Sequence, residues 1–223
     1  NIINLQKVEQ YIAQSHGVEK AIWQSIAASM YWNFYQNNRW KIYSRTTVES
    51  NTSDDIETWD VRKFISKTTA LYEASISNEQ LLKQTKVENI SVLIQEGVNT
   101  RELRPTVYDL LANRAITYFQ NDEKDVTNPS FKFQIDDQRY FQDAASFSKI
   151  KMESKDSISL QLKALQIYQN LIAFHLDDST PDALIDADMN RLQFINSKAV
   201  VANKKDLYIA ALERIKNKGP NNQ

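Results

Sequence analysis

The stretch VEKAIWQSIAASMYWNF, residues 18–34, decides the fold of this chain. Its apolar residues recur at every fourth position, a spacing that places them on one face of a helix. That row consists of Val18, Ile22, Ile26, Met30 and Phe34, with Trp23, Ala27 and Tyr31 beside it. Because so wide an apolar face cannot be covered by one neighbouring helix, the stretch predicts a largely buried helix.

Helical patterns continue on both sides of this stretch. Before it, apolar residues at helical spacing predict a first helix, and Gly17 is placed to end that helix. Those residues are Ile2, Leu5, Val8 and Ile12. After it, Asn37 and Asn38 interrupt the pattern, and a polar loop over residues 46–55 precedes a further helix. The apolar positions of that further helix are Trp59, Phe64, Leu71 and Tyr72.

The segment after Pro105 predicts an apolar helix with one narrow polar stripe. Residues Val107–Phe119 are mostly apolar, so we expect this helix to be enclosed on most of its circumference, with Pro105 in its first turn. The polar residues fall at spacings of three and four and predict a solvent-facing stripe: Thr106, Asp109, Asn113, Thr117 and Gln120. Arg114 lies outside that stripe. We therefore predict that Arg114 is a buried structural arginine with a carboxylate partner rather than part of a ligand site.

The C-terminal part predicts three more helices. The apolar positions of the first are Ile158, Leu162, Leu165, Tyr168 and Ile172. Thr180 and Pro181 form an N-cap and first-turn pair for the second helix. That helix continues through Ile185, Met189, Leu192 and Ile195, and the third contains Tyr208, Ala211, Leu212 and Ile215.

Together these patterns predict an all-α fold with a single helical domain over residues 1–223. Antiparallel helical pairs are expected to form an α-solenoid of the tetratricopeptide type, although its consensus residues and a clean repeat period are not evident. The predicted parts are a helical part at 1–120, an irregular connection at 121–156 and helical pairs at 157–217. Within the connection, FKFQI at 131–135 predicts an extended piece and residues 144–150 a helical turn.

Composition excludes several classes of protein. Three glycines and four prolines are too few for a turn-rich β protein. The 27 basic and 28 acidic residues nearly balance, so nothing indicates a surface for nucleic acid or for an anionic membrane. The chain has no cysteine, hence no disulfide, thiolate nucleophile or cysteine metal site. No apolar run approaches the ~20 residues of a membrane-spanning helix, so we predict no transmembrane segment.

The two histidines, His16 and His175, belong to no catalytic motif. His175 followed by Asp177 and Asp178 is more typical of a helix end and an acidic turn than of a metal site. Glycine loops for phosphate and serine-hydrolase elbows are also absent from the sequence.

Residues 186–190, DADMN, begin like a calcium-binding loop. The pattern then fails, because Arg191 stands where that loop requires glycine and Ser197 where it requires a bidentate glutamate. We therefore predict no metal ligand in this segment.

Asp54, Asp55 and Glu57 form an acidic cluster near Trp59. Two carboxylates are able to act as acid and base, but charges just before a helical run are more typical of helix N-terminal stabilisation. From these patterns we predict no catalytic residue, no cofactor and no enzyme activity, and the binding residues stay open.

The segment from Arg39 to Arg45 allows two interpretations. Arg39, Trp40, Lys41, Tyr43 and Arg45 are residues of the kinds that dominate recognition surfaces. Aromatic burial is the commoner use, however, so we expect Trp40 and Tyr43 to pack into the core, with an arginine bonded to carbonyls, Asp55 or Asp60. The segment is predicted to be a structural joint first and a recognition surface second.

Two Asp-Ser triplets, residues 156–158 and 178–180, resemble the O-glycosylation signal of Bacteroidetes envelope proteins. Both occur where helix N-caps are expected, which is the better explanation. Residues 51–53 and 89–91 are formal N-glycan sequons, which would carry no information if the source is bacterial.

Four ordered blocks of this sequence resemble the N-terminal helical region of large Bacteroidetes-type alpha-2-macroglobulin-like proteins. The blocks are MYWNFYQNNRWKIYSRT at 30–46, DIETWD at 55–60, LRPTVYDLLANRAITYF at 103–119 and NPSFKFQIDDQRYFQDAASF at 128–147. A chain that starts at Asn1 without Met and stops at KNKGPNNQ is then expected to be a piece of a larger protein.

The resemblance implies a role that the residues alone do not reveal. Proteins of this family trap or inhibit proteases through a bait segment and, in many members, a Cys-Gln thioester. Since this chain has no cysteine, any inhibitory role is expected to belong to the parent protein. The resemblance implies a non-catalytic scaffold or interaction domain in the periplasm, on the outer membrane or outside the cell. Its partners would be other domains of the parent or other envelope proteins. The alternatives are a free-standing helical-repeat adaptor, a carbohydrate-associated envelope domain and a small enzyme.

Overall fold

A computed structural model describes residues 2–44, 55–95, 97, 100–121, 131–156 and 158–217. The predicted all-α fold class is confirmed: the described part consists of helices and connections, with one isolated antiparallel bridge between Lys86 and Thr106. The α-helices are α1 Ile2–Gln14, α2 Gly17–Asn37, α3 Arg39–Tyr43, α4 Val61–Ile76, α5 Glu79–Gln84, α6 Thr100–Leu103, α7 Val107–Phe119, α8 Ala144–Phe147, α9 Leu160–His175, α10 Asp182–Lys198 and α11 Lys204–Lys216. Short 3-10 helices lie at Ile56–Thr58, Val87–Leu93 and Gln138–Phe141.

The chain divides into two compact units whose segments interleave along the sequence. The first unit comprises Asn1–Asn89, Thr106–Ala115 and Asp122–Thr127. The second comprises Ile90–Pro105, Ile116–Asn121 and Asn128–Gln223. The single-domain organisation and the solenoid arrangement stay predictions. In the described ranges no helix is both long enough and apolar enough to cross a membrane.

The first unit is built around α2, which packs against α1 and α4. Aromatic rings fill the space between α2 and α4: Tyr31 stacks on Trp59 with ring centroids 5.3 Å apart, and Trp59 contacts Phe64 at the same distance. The most buried side of α2 is rotated from the predicted row and comprises Ala21, Ser25, Ala27, Ala28, Tyr31 and Tyr35. The predicted row lies at the half-buried edges of that side, because small residues let the neighbouring helices approach more closely there.

The sequence predicts that Gly17 ends the first helix, and this prediction is wrong. α1 ends at Gln14, and Gly17 is the first residue of α2, with a φ of 55°. Residues with a side chain rarely adopt this left-handed conformation. A Cβ at this position would also lie 3.3 Å from Cδ2 of Leu81, so glycine is required in the turn between the two helices.

In the polar stripe of α7, two residues are buried, two are half-buried and one is exposed, which corrects the prediction that the stripe faces solvent. Thr106 and Asp109 are 8% and 2% exposed, and of the five stripe residues Thr117 alone is exposed. The Asp109 carboxylate accepts hydrogen bonds from the backbone N–H and the hydroxyl of Thr106, at 2.8 and 2.7 Å. Further along, Gln120 donates to the Tyr168 hydroxyl at 2.7 Å within the second unit. The stripe is therefore a seam of internal hydrogen bonds, and α7 is enclosed even more fully than expected.

The second unit centres on α10, which packs against α6, α9 and α11. α9 starts at Leu160 with Ser159 as its N-cap, so Ile158, which is 63% exposed, precedes the helix that it was predicted to open. α10 starts at Asp182 with Pro181 at the cap position, one residue later than predicted, and its Met189 is 47% exposed.

The irregular connection of the second unit contains the elements expected of it. Side chains at 132–135 alternate between exposed and buried, as they do along an extended chain, although no regular strand forms there. Val200 donates its backbone N–H to Ile135 O at 3.0 Å. The predicted helical turn is α8, whose N-cap Asp143 accepts from Ser146 N at 3.2 Å.

Replacing Asp109 with alanine tests the buried seam of α7. The change removes the acceptor of the Thr106 N–H, and leaving such a donor unsatisfied costs about 1 to 3 kcal/mol. Urea unfolding should therefore show a clear loss of stability for Asp109→Ala and almost none for Thr117→Ala. Unchanged midpoints for both variants would mean that the stripe faces solvent after all.

Candidate functional site

The short helix α3 buries one side chain and presents the others. Ile42 is fully buried, whereas Trp40 is 89% exposed and Tyr43 is 45% exposed. Successive residues of a helix are separated by about 100°, so Trp40 lies roughly 200° around the axis from Ile42. Docking Ile42 into the core therefore directs Trp40 away from it. The prediction that Trp40 and Tyr43 pack into the core is wrong.

The exposed residues of α3 combine aromatic rings with positive charge. The Arg39 guanidinium lies 5.5 Å from the centre of the Tyr43 ring, within cation–π range, and Lys41 is exposed. Arg45, assigned to the same segment from the sequence, lies outside the described residues. We call Arg39, Trp40, Lys41 and Tyr43 the α3 surface. An almost fully exposed tryptophan beside two cations is typical of a site for macromolecular recognition.

Arg114 is half-buried and bonds to serines rather than to a carboxylate. Its Nε donates to Ser25 Oγ at 2.8 Å, and one terminal nitrogen donates to Ser29 Oγ at 3.2 Å. The predicted carboxylate partner is therefore wrong among the described residues. Burial raises the pKa of the nearby Tyr72 hydroxyl, while the Arg114 charge and a hydrogen bond with Ser29 oppose that rise. Hydroxyls replace the carboxylate because Arg114 retains contact with water.

The buried arginine among the described residues is Arg191, which the sequence singles out only as the residue that breaks a calcium loop. It is fully buried in α10. Its guanidinium donates to the carbonyls of Tyr140 and Gln142, at 2.6 and 3.0 Å, and to the Asp188 carboxylate. The group also lies 4.3 Å from the centre of the Phe147 ring. Burial lowers the pKa of Arg191, and the Asp188 charge opposes that effect.

A signal for this cluster was present in the sequence. Leu184, Asp188, Leu192 and Ile195 follow helical spacing, so Asp188 occupies a position in an apolar row. A charged residue on the buried face of a helix requires a charged or strongly donating partner, and Arg191 lies one turn away.

The segment that resembled a calcium loop is helical, since Asp186–Asn190 lies inside α10. Asp186 forms an ion pair with Arg104 at 3.2 Å, and its backbone carbonyl accepts from Asn190 at 2.7 Å. Across the described ranges, no three His, Cys, Asp or Glu side chains are grouped as a metal ion would require.

The two histidines lie in different settings. His16 is exposed in the turn before α2. His175 is the last residue of α9, as the helix-end interpretation expected, and its Nδ1 lies 2.7 Å from the Asp178 carboxylate. Asp177 is exposed in the turn that follows.

Of the acidic cluster before α4, Asp55 serves as a helix cap, and Glu57 is exposed. Asp55 accepts from Glu57 N at 3.0 Å and so caps the 3-10 helix Ile56–Thr58. Asp60 caps α4 by accepting from Lys63 N at 2.9 Å. Asp54 lies outside the described residues.

The Asp-Ser triplets are not helix caps. Asp156 is buried and its carboxylate accepts from Phe133 N at 3.1 Å, which ties the irregular connection together. Ser157 and the sequon at 51–53 lie outside the described residues. Ser179 and Thr180 are exposed in the turn before α10, and residues 89–91 lie in the 3-10 helix Val87–Leu93.

The described residues thus offer an exposed aromatic and cationic surface on α3 and a buried arginine cluster in the second unit. Comparisons of the chain with models of protein families, with curated proteins and with solved structures gave no match. Its function is therefore argued from its own residues and from the resemblance of its sequence blocks.

Two substitutions within α3 distinguish an exposed Trp40 from a buried one. Ile42→Ala should lose about 2 to 5 kcal/mol, because it opens a cavity in the core. Trp40→Ala should change the free energy of unfolding by less than about 0.5 kcal/mol. Urea unfolding followed by circular dichroism measures both. A large loss for Trp40→Ala would restore the structural-joint interpretation.

The buried pair on α10 gives a sharper test. Asp188→Leu leaves the Arg191 charge buried without its carboxylate and should cost about 3 to 5 kcal/mol. Adding Arg191→Met removes the unpaired charge but also the donors to the carbonyls of Tyr140 and Gln142, so the double variant should remain destabilised. Asp177→Leu, at an exposed position, is the control. If Asp188→Leu and Asp177→Leu unfold alike, the pair carries no stability.

Proposed function

We propose that this chain is a non-catalytic helical scaffold and interaction domain of a large alpha-2-macroglobulin-like, protease-inhibitor-type protein of the bacterial envelope. The observation that carries the interaction role is the exposure of Trp40, 89% of whose surface is open to water. An indole kept out of the core at the end of a large buried helix gains nothing for folding. Its use is then in contact with another surface.

The composition of the α3 surface favours a protein partner. Trp, Tyr and Arg are enriched among the residues that dominate binding energy at interfaces. They are carried by a helix that Ile42 anchors to the core, so little conformational entropy is lost when a partner docks. The positive charges of Arg39 and Lys41 suit an acidic counterpart.

The family assignment rests on the four ordered blocks. Each of them contributes buried residues: Tyr35, Trp59, Tyr108 and Phe141 are at most 5% exposed. Blocks that supply the core determine a fold more strongly than surface motifs do. Their order and spacing therefore support a shared fold with the N-terminal helical region of these envelope proteins, and with it a periplasmic, outer-membrane or secreted location.

The absence of catalysis is part of the proposal. Of the acidic side chains that resembled an acid–base pair, Asp55 is engaged in a helix cap. His175 is buried against Asp178. His16 is exposed, and the sequence pairs it with no nucleophile in a known catalytic motif. Enzyme sites usually gather such groups in one cleft.

The alternative from the same evidence is a free-standing helical adaptor. The α3 surface serves such a protein equally well, because it lies on the chain itself. What distinguishes the two is whether the chain belongs to a polypeptide that also contains macroglobulin domains, with which the α3 surface is then able to make contact.

A photocrosslinking amino acid at position 40 of the full parent chain, expressed in its native cells, tests the proposal. Mass spectrometry identifies the adducts, and position 177, exposed in the second unit, is the control. Crosslinks to macroglobulin domains of the same polypeptide support the proposed parent. Crosslinks to a separate protein support the adaptor.

Affinity gives the second measurement on any captured partner. Removing a tryptophan hot spot costs at least about 2 kcal/mol, so Trp40→Ala should weaken binding roughly thirtyfold or more. Asn33→Ala, at an exposed position of α2, should leave it unchanged. If position 40 gives no adduct beyond that of position 177, the α3 surface is not the interaction site.

A further inference from the structure

The second unit contains a cavity of about 320 Å³ next to the Arg191 cluster. Its walls belong to the segment after Gln138–Phe141, to α10 and to α11, and most of them are aliphatic: Leu184, Ile185, Leu192, Ala211 and Ile215. Ligand pockets begin at about this size. If each non-hydrogen atom takes up about 30 Å³, the volume of a water molecule in the liquid, the cavity accommodates roughly ten of them.

Arg214 provides the polar end of this cavity. Arg191 lies behind the same wall: its side chain is fully buried, and its Nε–H has no acceptor among the described residues and is out of reach of water. Arg214 lines the cavity and donates to Phe141 O, and within the described part it forms no ion pair. Because Arg214 is exposed, we place it at the opening.

The two carboxylates in the walls are directed to other partners. Asp188 is held by Arg191. Asp143 accepts from the backbone N–H and the hydroxyl of Ser146, at 3.2 and 2.8 Å. The cavity therefore offers a ligand an aliphatic body, donors at one end and the positive charge of Arg214.

We propose that this cavity binds a small amphipathic monocarboxylate, with an aliphatic chain of about six to eight carbons along Leu184, Leu192 and Ile215. The carboxylate accepts from the guanidinium of Arg214, which is exposed. A single negative charge matches the site better than a phosphate does, because Asp143 and Asp188 lie in the same walls and repel a dianion. This ligand site does not depend on the α3 surface.

Isothermal titration calorimetry of the full chain with octanoate tests the site directly. Octanoate should bind with a negative heat-capacity change, since its chain leaves water. Affinity should fall about fourfold for each methylene removed on the way to butanoate. Octanol, which keeps the chain and lacks the charge, should bind about tenfold more weakly or worse.

The variants leave the Arg191–Asp188 pair unchanged. Arg214→Gln should weaken octanoate about tenfold or more and leave octanol unchanged. Ala211→Leu fills the cavity and should abolish binding of both. Lys205→Gln removes one positive charge from the same helix at an exposed position and should have no effect. Thermal melting of each variant is measured first.

Three results would overturn the proposal. The first is the absence of any heat of binding when octanoate is titrated at millimolar concentration into a folded sample. The second is octanol binding as well as octanoate, or Arg214→Gln behaving like Lys205→Gln, which would remove the carboxylate from the assignment. The third is unchanged binding to Ala211→Leu, which would place the ligand elsewhere.

Discussion

The second unit depends on the burial of the Arg191 guanidinium. A short irregular segment cannot satisfy its own backbone carbonyls as a longer helix does, and buried carbonyls left without donors are costly. Here three consecutive carbonyls, those of Tyr140, Phe141 and Gln142, accept from the side chains of Arg191 and Arg214. The planar guanidinium of an arginine spreads five donors over three nitrogens in a fixed fork, whereas lysine carries its three donors on a single nitrogen. Asp188 offsets the charge that this arrangement places in the core.

The first unit achieves its packing by different means. Aromatic rings around Trp59 fill the space between α2 and α4, while Ala21, Ser25 and Ala28 leave room for close approach on the most buried side of α2. Arg114 enters that unit as a half-buried donor to serine hydroxyls. One residue type thus serves two roles, and the depth of burial decides whether a carboxylate or a hydroxyl is the partner.

Sequence periodicity predicted the fold class and most helices because the apolar spacing of α2, α4, α9 and α10 is regular. It failed where the answer depends on neighbours distant along the chain. The stripe of α7 was polar in composition, yet Gln120 meets a tyrosine 48 residues later. Arg191 reaches carbonyls 49 and 51 residues earlier, a relation that no local pattern contains. The prediction of a buried Trp40 fails for a local reason. In a helix as short as α3, one buried side chain fixes the direction of all the others, and that side chain is Ile42.

The interleaving of the two units affects how the protein is made on the ribosome. α7 changes unit between Ala115 and Ile116, so a cut at one peptide bond cannot separate the units into self-sufficient halves. The second unit takes Ile90–Pro105 early in the chain, yet the arginine that organises it is residue 191. At about 5 to 20 residues per second, roughly 5 to 20 s separate the synthesis of Pro105 from that of Arg191. Once Ala115 has been added, the first unit has all the α-helices assigned to it, while the early segments of the second unit still lack the helices against which they pack. Translation speed between α7 and α10 therefore sets how long apolar surface stays open to chaperones.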